Sequence, residues 1–380
     1  MKLPGPLKAD SEPEKGFVEK PESSFLSARY WPQLDGLRTV SIAMVLVSHM
    51  SDPHIWGFLN GSLGVTLFFV ISGFLITSLL TREERRRGRV SIIRFYVRRA
   101  FRILPLYYLA LSTAAIAVFV LGLGEGPEKF AERLPLLATF NGDLAGGGSF
   151  VHSWSLGIEE KFYVVWPFLM FAIPLMKRHR LAAATVLLGL ASAAGYIEGA
   201  RYFGTYTAIL AGCVLGLIMH TPRGFRVVSK LAQPRVAALL IPVAITAYIL
   251  DPILPGGYQS GHAHVVFSYT VALLFPSVIL AASPLTKLLS WKPVAFLGTR
   301  TYAIYLFHPF CIDVVSMAIP AGQQNFALAI VRLVLAAVLS VAVAEVMARA
   351  IEQPLIRMGK RLTSSPGPTT TRSPAPVSES

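Results

Sequence analysis

Ten apolar runs of membrane-spanning length, separated by short polar loops, constrain this chain more than any other feature. They cover approximately residues 34–52, 62–81, 101–122, 157–176, 181–199, 203–220, 236–251, 265–283, 294–317 and 326–351. A hydrocarbon core needs about 20 mostly apolar residues per helical crossing, and backbone groups inside it must be satisfied within the helix. The expected fold is an all-α integral membrane protein with about ten transmembrane helices in one bundle. Composition agrees: 53% of residues are hydrophobic and 15% charged, which excludes an ordinary soluble domain.

The formal charge of +14 would point to nucleic acid in a soluble chain. Here it sits in short loops, so it reads as topology, with membrane lipid as partner and no nucleic acid. One set of loops holds the arginine-rich segment 82–102, Lys177-Arg178-His179-Arg180, the stretch from Arg223 to Arg235, Lys287 with Lys292, and Arg357 to Arg361. The other set holds only Lys129, Arg133 and Arg201. The positive-inside rule makes the first set cytoplasmic, which puts both termini in the cytoplasm and the protein, multi-pass, in the cell's inner (cytoplasmic) membrane. Residues 1–30 are polar, lack the apolar core of a signal peptide and read as a disordered cytoplasmic tail. Residues 31–360 form the transmembrane domain, and the Ser/Thr/Pro-rich stretch within 361–380 reads as a second tail. Cys213 and Cys311 fall inside apolar runs, so no disulfide framework is expected.

The first run carries chemistry as well as length. It reads QLDGLRTVSIAMVLVSHM from Gln33 to Met50. Arg38 and His49 are eleven residues apart, nearly three full turns, which places both on one helix face roughly 16 Å apart along the axis. Ser41 and Ser48 lie near that stripe, while Ile42, Val45 and Leu46 fill most of the rest. Ionisable groups in membrane helices face a protein interior or a watery cavity and are functional candidates. The alternative is that Arg38 snorkels to the headgroups and His49 sits in the opposite interface. Spacing alone favours neither.

Nine arginines stand between Arg82 and Arg102, opposed only by Glu83 and Glu84. Arg82 to Arg89 read as topogenic charge in contact with anionic lipid. Arg98, Arg99 and Arg102 differ: they enter the third span within FYVRRAFRILPLYY, flanked by aromatics and spaced by three and four residues on one helix face. Guanidinium is the side chain suited to bidentate phosphate binding, so this set suits a polyanionic, nucleotide-containing cofactor.

Three further segments read blandly by themselves. In the second span Gly64, Ser72 and Gly73 let another helix approach closely. Before the fourth span comes His152-Ser153-Trp154-Ser155-Leu156-Gly157-Ile158-Glu159-Glu160, where the acidic pair fits a helix first turn. Near the end, His308 follows Tyr302 and Tyr305 and precedes Pro309; it reads as a structural histidine that uses carbonyls freed by a proline kink.

Together these segments resemble the acyltransferase 3 family, integral-membrane O-acyltransferases of the O-antigen and exopolysaccharide acetylase and macrolide acyltransferase type. The resemblance covers roughly residues 31–360 and rests on LDGLR with His49, GVTLFFVISGFLIT, FYVRRAFRILPLYY, WSLGIEEKFYVVWP and TYAIYLFHP, in that order. It implies a cytoplasmic acyl-CoA donor, taken as acetyl-CoA, and no metal. It implies a hydroxyl acceptor on a carbohydrate, a lipid-linked sugar or a macrolide-like product of the cell envelope. It also implies catalytic roles for Arg38, His49 and Glu159, and cofactor binding by Arg98, Arg99 and Arg102. The chain departs from the family pattern in having Thr66 where an acidic residue is frequent and Thr301 where serine is. Beyond Arg361 it carries a short tail in place of the esterase-like domain of some members, so a stand-alone membrane domain is expected.

On this reading the arginines hold the phosphates of acyl-CoA, and a desolvated, neutral His49 acts as general base on the acceptor hydroxyl. Arg38 fixes the donor or stabilises developing charge, and Glu159 orients the acceptor or a water. Two rival classes share the pattern of intramembrane charge: a small-molecule transporter and a non-catalytic membrane sensor. Neither a two-half repeat nor a midplane charge site is evident to support the transporter.

Overall fold

A run with no polar backbone partner outside itself can satisfy its N–H and C=O groups in a bilayer only as a helix, and helices are what form. The computed structural model describes residues 25–28, 30–50, 61–197, 201–250, 261–320 and 326–363. Most of the tails proposed at 1–30 and 361–380 lies outside the described residues; within the described part, residues 25–27 and 361–363 are helical and Phe25 is buried. Among those described there is no strand, and each of the ten expected spans is helical. The principal helices are α1 (Pro32–His49), α2 (Gly61–Arg87), α3 (Ile92–Phe119), α4 (Pro127–Ala138), α5 (Trp154–Phe171), α6 (Arg180–Ala194), α7 (Tyr206–Met219), α8 (Pro234–Leu250), α9 (Gly261–Leu280), α10 (Lys292–Thr299), α11 (Thr301–Ala318), α12 (Phe326–Met347) and α13 (Gln353–Thr363).

Five helical segments are long and apolar enough to cross a membrane by length and composition: Gly61–Arg87, Ile92–Phe119, Tyr202–Met219, Thr301–Ala318 and Phe326–Thr363. A sixth follows if Pro222–Leu231 and Pro234–Leu250, bent by 72°, count as one span. Arg180–Ala194 and His264–Leu280 are apolar but shorter. Helices α1 and α5 fall short for a different reason: Asp35, Arg38 and His49 on one, and Glu159, Glu160 and Lys161 on the other, dilute their apolar character. The expected ninth span is two helices, with Arg300 at the joint between α10 and α11, held to Glu345 at 2.6 Å. Outward-facing Val164, Val165, Phe168, Leu239 and Val338 are exposed, as side chains that meet lipid tails would be.

Glycines set how closely the helices around the site approach. A Cβ on Gly73 of α2 would lie 1.9 Å from the Ile209 carbonyl oxygen of α7, and one on Gly212 of α7 would lie 2.1 Å from that of Val70. Two backbones therefore cross there with no room for a side chain, as the small residues of the second span predict. Helix α1 is pinned the same way on three sides. Its Gly36 abuts the Leu289 carbonyl, Gly64 of α2 abuts that of Ser41, and Gly298 of α10 abuts that of Asp35. The glycine of LDGLR is thus a packing requirement, and its consequence is a fixed α1.

Arg82, expected among the lipid-facing charges, is buried instead. It donates to the carbonyls of Phe25 and Ala28 and stands 4.1 Å from the centre of the Trp31 ring, tying the entry of α1 to the end of α2.

Candidate active site

The site is built along α1, with a cationic cavity towards its start and a histidine cluster at its end. At the start, Arg38 Nη1 donates to Asp35 Oδ1 at 2.7 Å, one turn back, which leaves the buried Arg38 Nε without a partner. Beside it lies a cavity of about 40 Å³ whose wall includes Arg38, Arg99, Arg102, Glu159, Glu160 and Tyr163. Arg99 lies over the Tyr163 ring at 4.3 Å. The cavity therefore draws its cations from two helices, α1 and α3.

Of the three arginines expected to act together, Arg99 and Arg102 reach this cavity and Arg98 does not. At about 100° per residue Arg98 and Arg99 flank Arg102 on opposite sides, roughly 40° and 60° away, so the neighbouring helices decide where each one goes. Arg98 turns instead to Glu83 of α2, at 3.5 Å, with 35% of its side chain exposed. Glu159 is buried in the same wall. Its Oε1 accepts from Ser72 at 2.6 Å and from the hydroxyl of Tyr163, which is four residues on and so on the same helix face. Ser72, expected only as a small packing residue, is thus the hydrogen-bond donor that fixes the carboxylate. Glu160 lines the cavity with a buried Oε1 that has no partner. Sequence reasoning passed it over because an acidic pair at a helix start looks like dipole compensation.

A second, narrower cavity of about 20 Å³ follows along α1. It is lined by Ser41, Val45, Val65, Ser155, Leu156 and Tyr305, and it shares Phe68, Glu159, Thr301 and Tyr302 with the first. Shared walls set the two side by side along α1, a path that reaches from Arg38 as far as Val45, one turn short of His49. The path is apolar on the α1 side because Ser41 spends its hydroxyl on the Gly64 carbonyl, at 2.7 Å.

At the far end three histidines meet. His49, at the last turn of α1, is accessible, whereas His308 and His152 are buried. Accessible His49 departs from the expected desolvated base: its ring sits at the end of α1, beyond the walls of both cavities. The centres of the His49 and His308 rings lie 4.9 Å apart, edge to face, and those of His152 and His308 lie 5.6 Å apart. His49 Nδ1 faces the Val45 carbonyl at 2.9 Å and His308 Nδ1 faces that of Tyr305 at 2.7 Å. A carbonyl only accepts, so both Nδ1 atoms carry a hydrogen, and in the neutral rings Nε2 is the nitrogen with the free lone pair. The Tyr305 carbonyl is free for this because Pro309, four residues on, has no N–H to give it. Tyr305 is held in turn: it exchanges a hydrogen bond with Ser155 at 2.6 Å and donates to the His152 carbonyl at 2.5 Å. Among the described residues no group of three His, Cys, Asp or Glu side chains is arranged to hold a metal ion.

An all-helical bundle of apolar helices, with an arginine-lined cavity and an accessible histidine on one and the same helix, defines the class: a multi-pass membrane protein with ionisable groups inside its bundle. A family model described as an acyltransferase domain matches residues 31–349, and the chain belongs to that family, acyltransferase 3. It is 32% identical to the putative peptidoglycan O-acetyltransferase YrhL of Bacillus subtilis, over 82% of this chain and 53% of that protein. It is 29% identical to the peptidoglycan O-acetyltransferase OatA of Listeria monocytogenes, over 80% of this chain and 53% of that one. With the O-acetyltransferase OatA of Staphylococcus aureus it shares 29% identity over 83% of this chain and 56% of the relative. The chain spans about half the length of the curated relatives it matches. No solved structure matches it significantly.

Proposed function

We propose that this protein is an acyl-CoA-dependent O-acyltransferase that moves an acetyl group from the cytoplasmic side of the membrane to a hydroxyl of a cell-envelope carbohydrate. The observation that carries the reading is that α1 has Arg38 in an arginine-lined cavity near one end and an accessible His49 at the other. A donor with a phosphorylated head and a long arm fits such a site: phosphates at Arg99 and Arg102, the arm along α1, the thioester near His49. Loop charge puts the arginine end in the cytoplasm, where acyl-CoA is found. The names of the relatives point to peptidoglycan as the carbohydrate.

His49 Nε2, bare and accessible, takes the proton of the acceptor hydroxyl as its oxygen bonds to the thioester carbonyl carbon. The carbon–sulfur bond then breaks, and the imidazolium returns the proton to the sulfur. Arg38 has an unspent Nε–H, and it faces the donor together with Arg99 and Arg102. Glu159, locked by Ser72 and Tyr163, sits where the two cavities join and orients what passes between them. In contrast with a transporter site, the charges lie at one mouth.

The test is acetyl transfer by purified protein in detergent or proteoliposomes, with labelled acetyl-CoA and peptidoglycan fragments or lipid-linked precursors. Label in the glycan hydroxyl ester supports the reading. CoA release that stays at the uncatalysed rate with every carbohydrate offered, alongside solute uptake into vesicles, replaces it with the transporter.

A further inference from the structure

Glu159 and Glu160 are neighbours on α5 and meet opposite surroundings. Glu159 is held by two donors, Ser72 and Tyr163. Glu160 lines the arginine cavity, and among the described residues it takes part in no hydrogen bond or ion pair; its Oε1 is enclosed without a partner. Hydroxyls are not lacking on that wall, but each is engaged elsewhere. Ser72 and Tyr163 donate to Glu159, Tyr302 to the Ile103 carbonyl at 2.8 Å, Thr299 to that of Phe296 at 2.7 Å and Thr301 to that of Gly298 at 2.9 Å. Arg99 and Arg102 line the same cavity, yet neither forms an ion pair with Glu160. A carboxylate inside a bundle costs free energy unless it is given hydrogen-bond donors. The hydrogen that Glu160 needs has to come from what enters the cavity.

We propose that Glu160 is a specificity-determining residue for the donor: its carboxylate accepts an amide N–H of the pantetheine arm. This rests on the reading of acyl-CoA as the donor. The cavity wall has two opposite requirements. The guanidiniums of Arg99 and Arg102 need an acceptor, which phosphate supplies. Glu160 needs a donor, and an ionised phosphate has no hydrogen to give and is repelled by the like charge. The pantetheine arm carries two secondary amides between its phosphate end and its sulfur. The order of residues along the path matches that of the molecule. Glu160 lines only the first cavity, with the arginines, whereas Glu159 lines both, and Ser155 and Tyr305 line only the second. An arm drawn from the arginines towards the second cavity therefore runs along the wall that holds Glu160. A ligand that displaces water from a buried carboxylate and brings no donor leaves that group unpaired, and such sites reject the lacking analogue strongly. Glu160 thus selects thioesters built on this arm over other phosphorylated anions.

The test separates the two requirements. Wild type, Glu160→Leu, Glu160→Gln and Arg99→Ala are purified as full chains in detergent and checked for monodispersity. Each is titrated with CoA, with adenosine 3′,5′-bisphosphate, which lacks the arm, and with two CoA analogues in which one or the other amide N–H is replaced by an ester oxygen. Wild type should bind one of the ester analogues roughly ten- to hundred-fold more weakly than CoA, the share of a hydrogen bond to a charged group. Glu160→Leu should weaken CoA by a similar factor, bind that analogue as well as it binds CoA, and hold the bisphosphate no more weakly than wild type does. Arg99→Ala should weaken the bisphosphate and keep the gap between CoA and the ester analogue. Glu160→Gln, which retains an acceptor oxygen without the charge, should narrow the gap without closing it, and it carries the test if Glu160→Leu does not fold. Ester analogues that bind wild type as tightly as CoA, or equal effects of Glu160→Leu on CoA and on the bisphosphate, would overturn the proposal and leave Glu160 a balance for arginine charge. Failure of the donor reading looks different: wild type itself would then bind neither CoA nor the bisphosphate.

Discussion

Replacing Arg99 by alanine, with Arg98→Ala as its neighbouring control, is the sharpest test of where the donor binds. The two residues are adjacent in sequence, equal in charge, and differ only in where α3 aims them. Arg99 lines the cavity beside Arg38 and Arg102, against the Tyr163 ring, while Arg98 is 35% exposed and faces Glu83 at 3.5 Å. A charge-assisted hydrogen bond to phosphate contributes about 1.5–3 kcal/mol, which is roughly ten- to hundred-fold in affinity. An exposed ion pair is worth about 0–1 kcal/mol, so losing Arg98 should shift affinity by less than about five-fold. The fold should survive Arg99→Ala, because Glu159 keeps its bonds from Ser72 and Tyr163. The assay is calorimetric binding of CoA to detergent-purified protein, beside KM for acetyl-CoA and a thermal unfolding midpoint. Equal losses at the two positions, or no loss at either with intact folding, would refute the cavity as the donor site. The arginines would then be diffuse lipid-binding charge.

Other consequences follow from the same geometry. His49→Ala should leave insertion and CoA binding intact while acyl transfer falls by about 10²–10⁴-fold, read as rate per mole of monodisperse protein. Glu159→Gln should fold, since the amide oxygen still accepts from Ser72, but turnover should drop at least about ten-fold; Tyr163→Phe, which removes one of the two donors, should give an intermediate rate. Gly212→Ala should lower expression and thermal stability, by about 3 kcal/mol or more, because its Cβ would meet the Val70 carbonyl; Gly189→Ala, with nothing within 4 Å, should be neutral. Cysteine labels in 125–148 should react from outside intact cells and labels in 223–235 only after permeabilisation; the inverse pattern would remove the arginine cavity from the compartment that holds acyl-CoA.

Much of this protein is legible in one dimension, because a bilayer leaves the backbone a single choice. Length and apolarity are enough to predict helices along the ten apolar runs, though the ninth run is two helices, and the charge of the loops is enough to propose their direction. The periodicity of α1 puts Arg38 and His49 on one face, since helix geometry is local. What depends on neighbours distant in the chain could not be read that way. Arg98 and Arg99 are interchangeable in sequence until α2 offers Glu83 to one and α5 offers Tyr163 to the other. Ser72 looks like a small packing residue until Glu159, 87 positions away, comes within 2.6 Å. Arg82 reads as surface charge until the carbonyls of Phe25 and Ala28 enclose it. His308 shows the division within a single side chain. Pro309 beside it announces in sequence that the Tyr305 carbonyl will need a donor, whereas the contact of its ring with that of His49 exists only because α1 and α11 pack together.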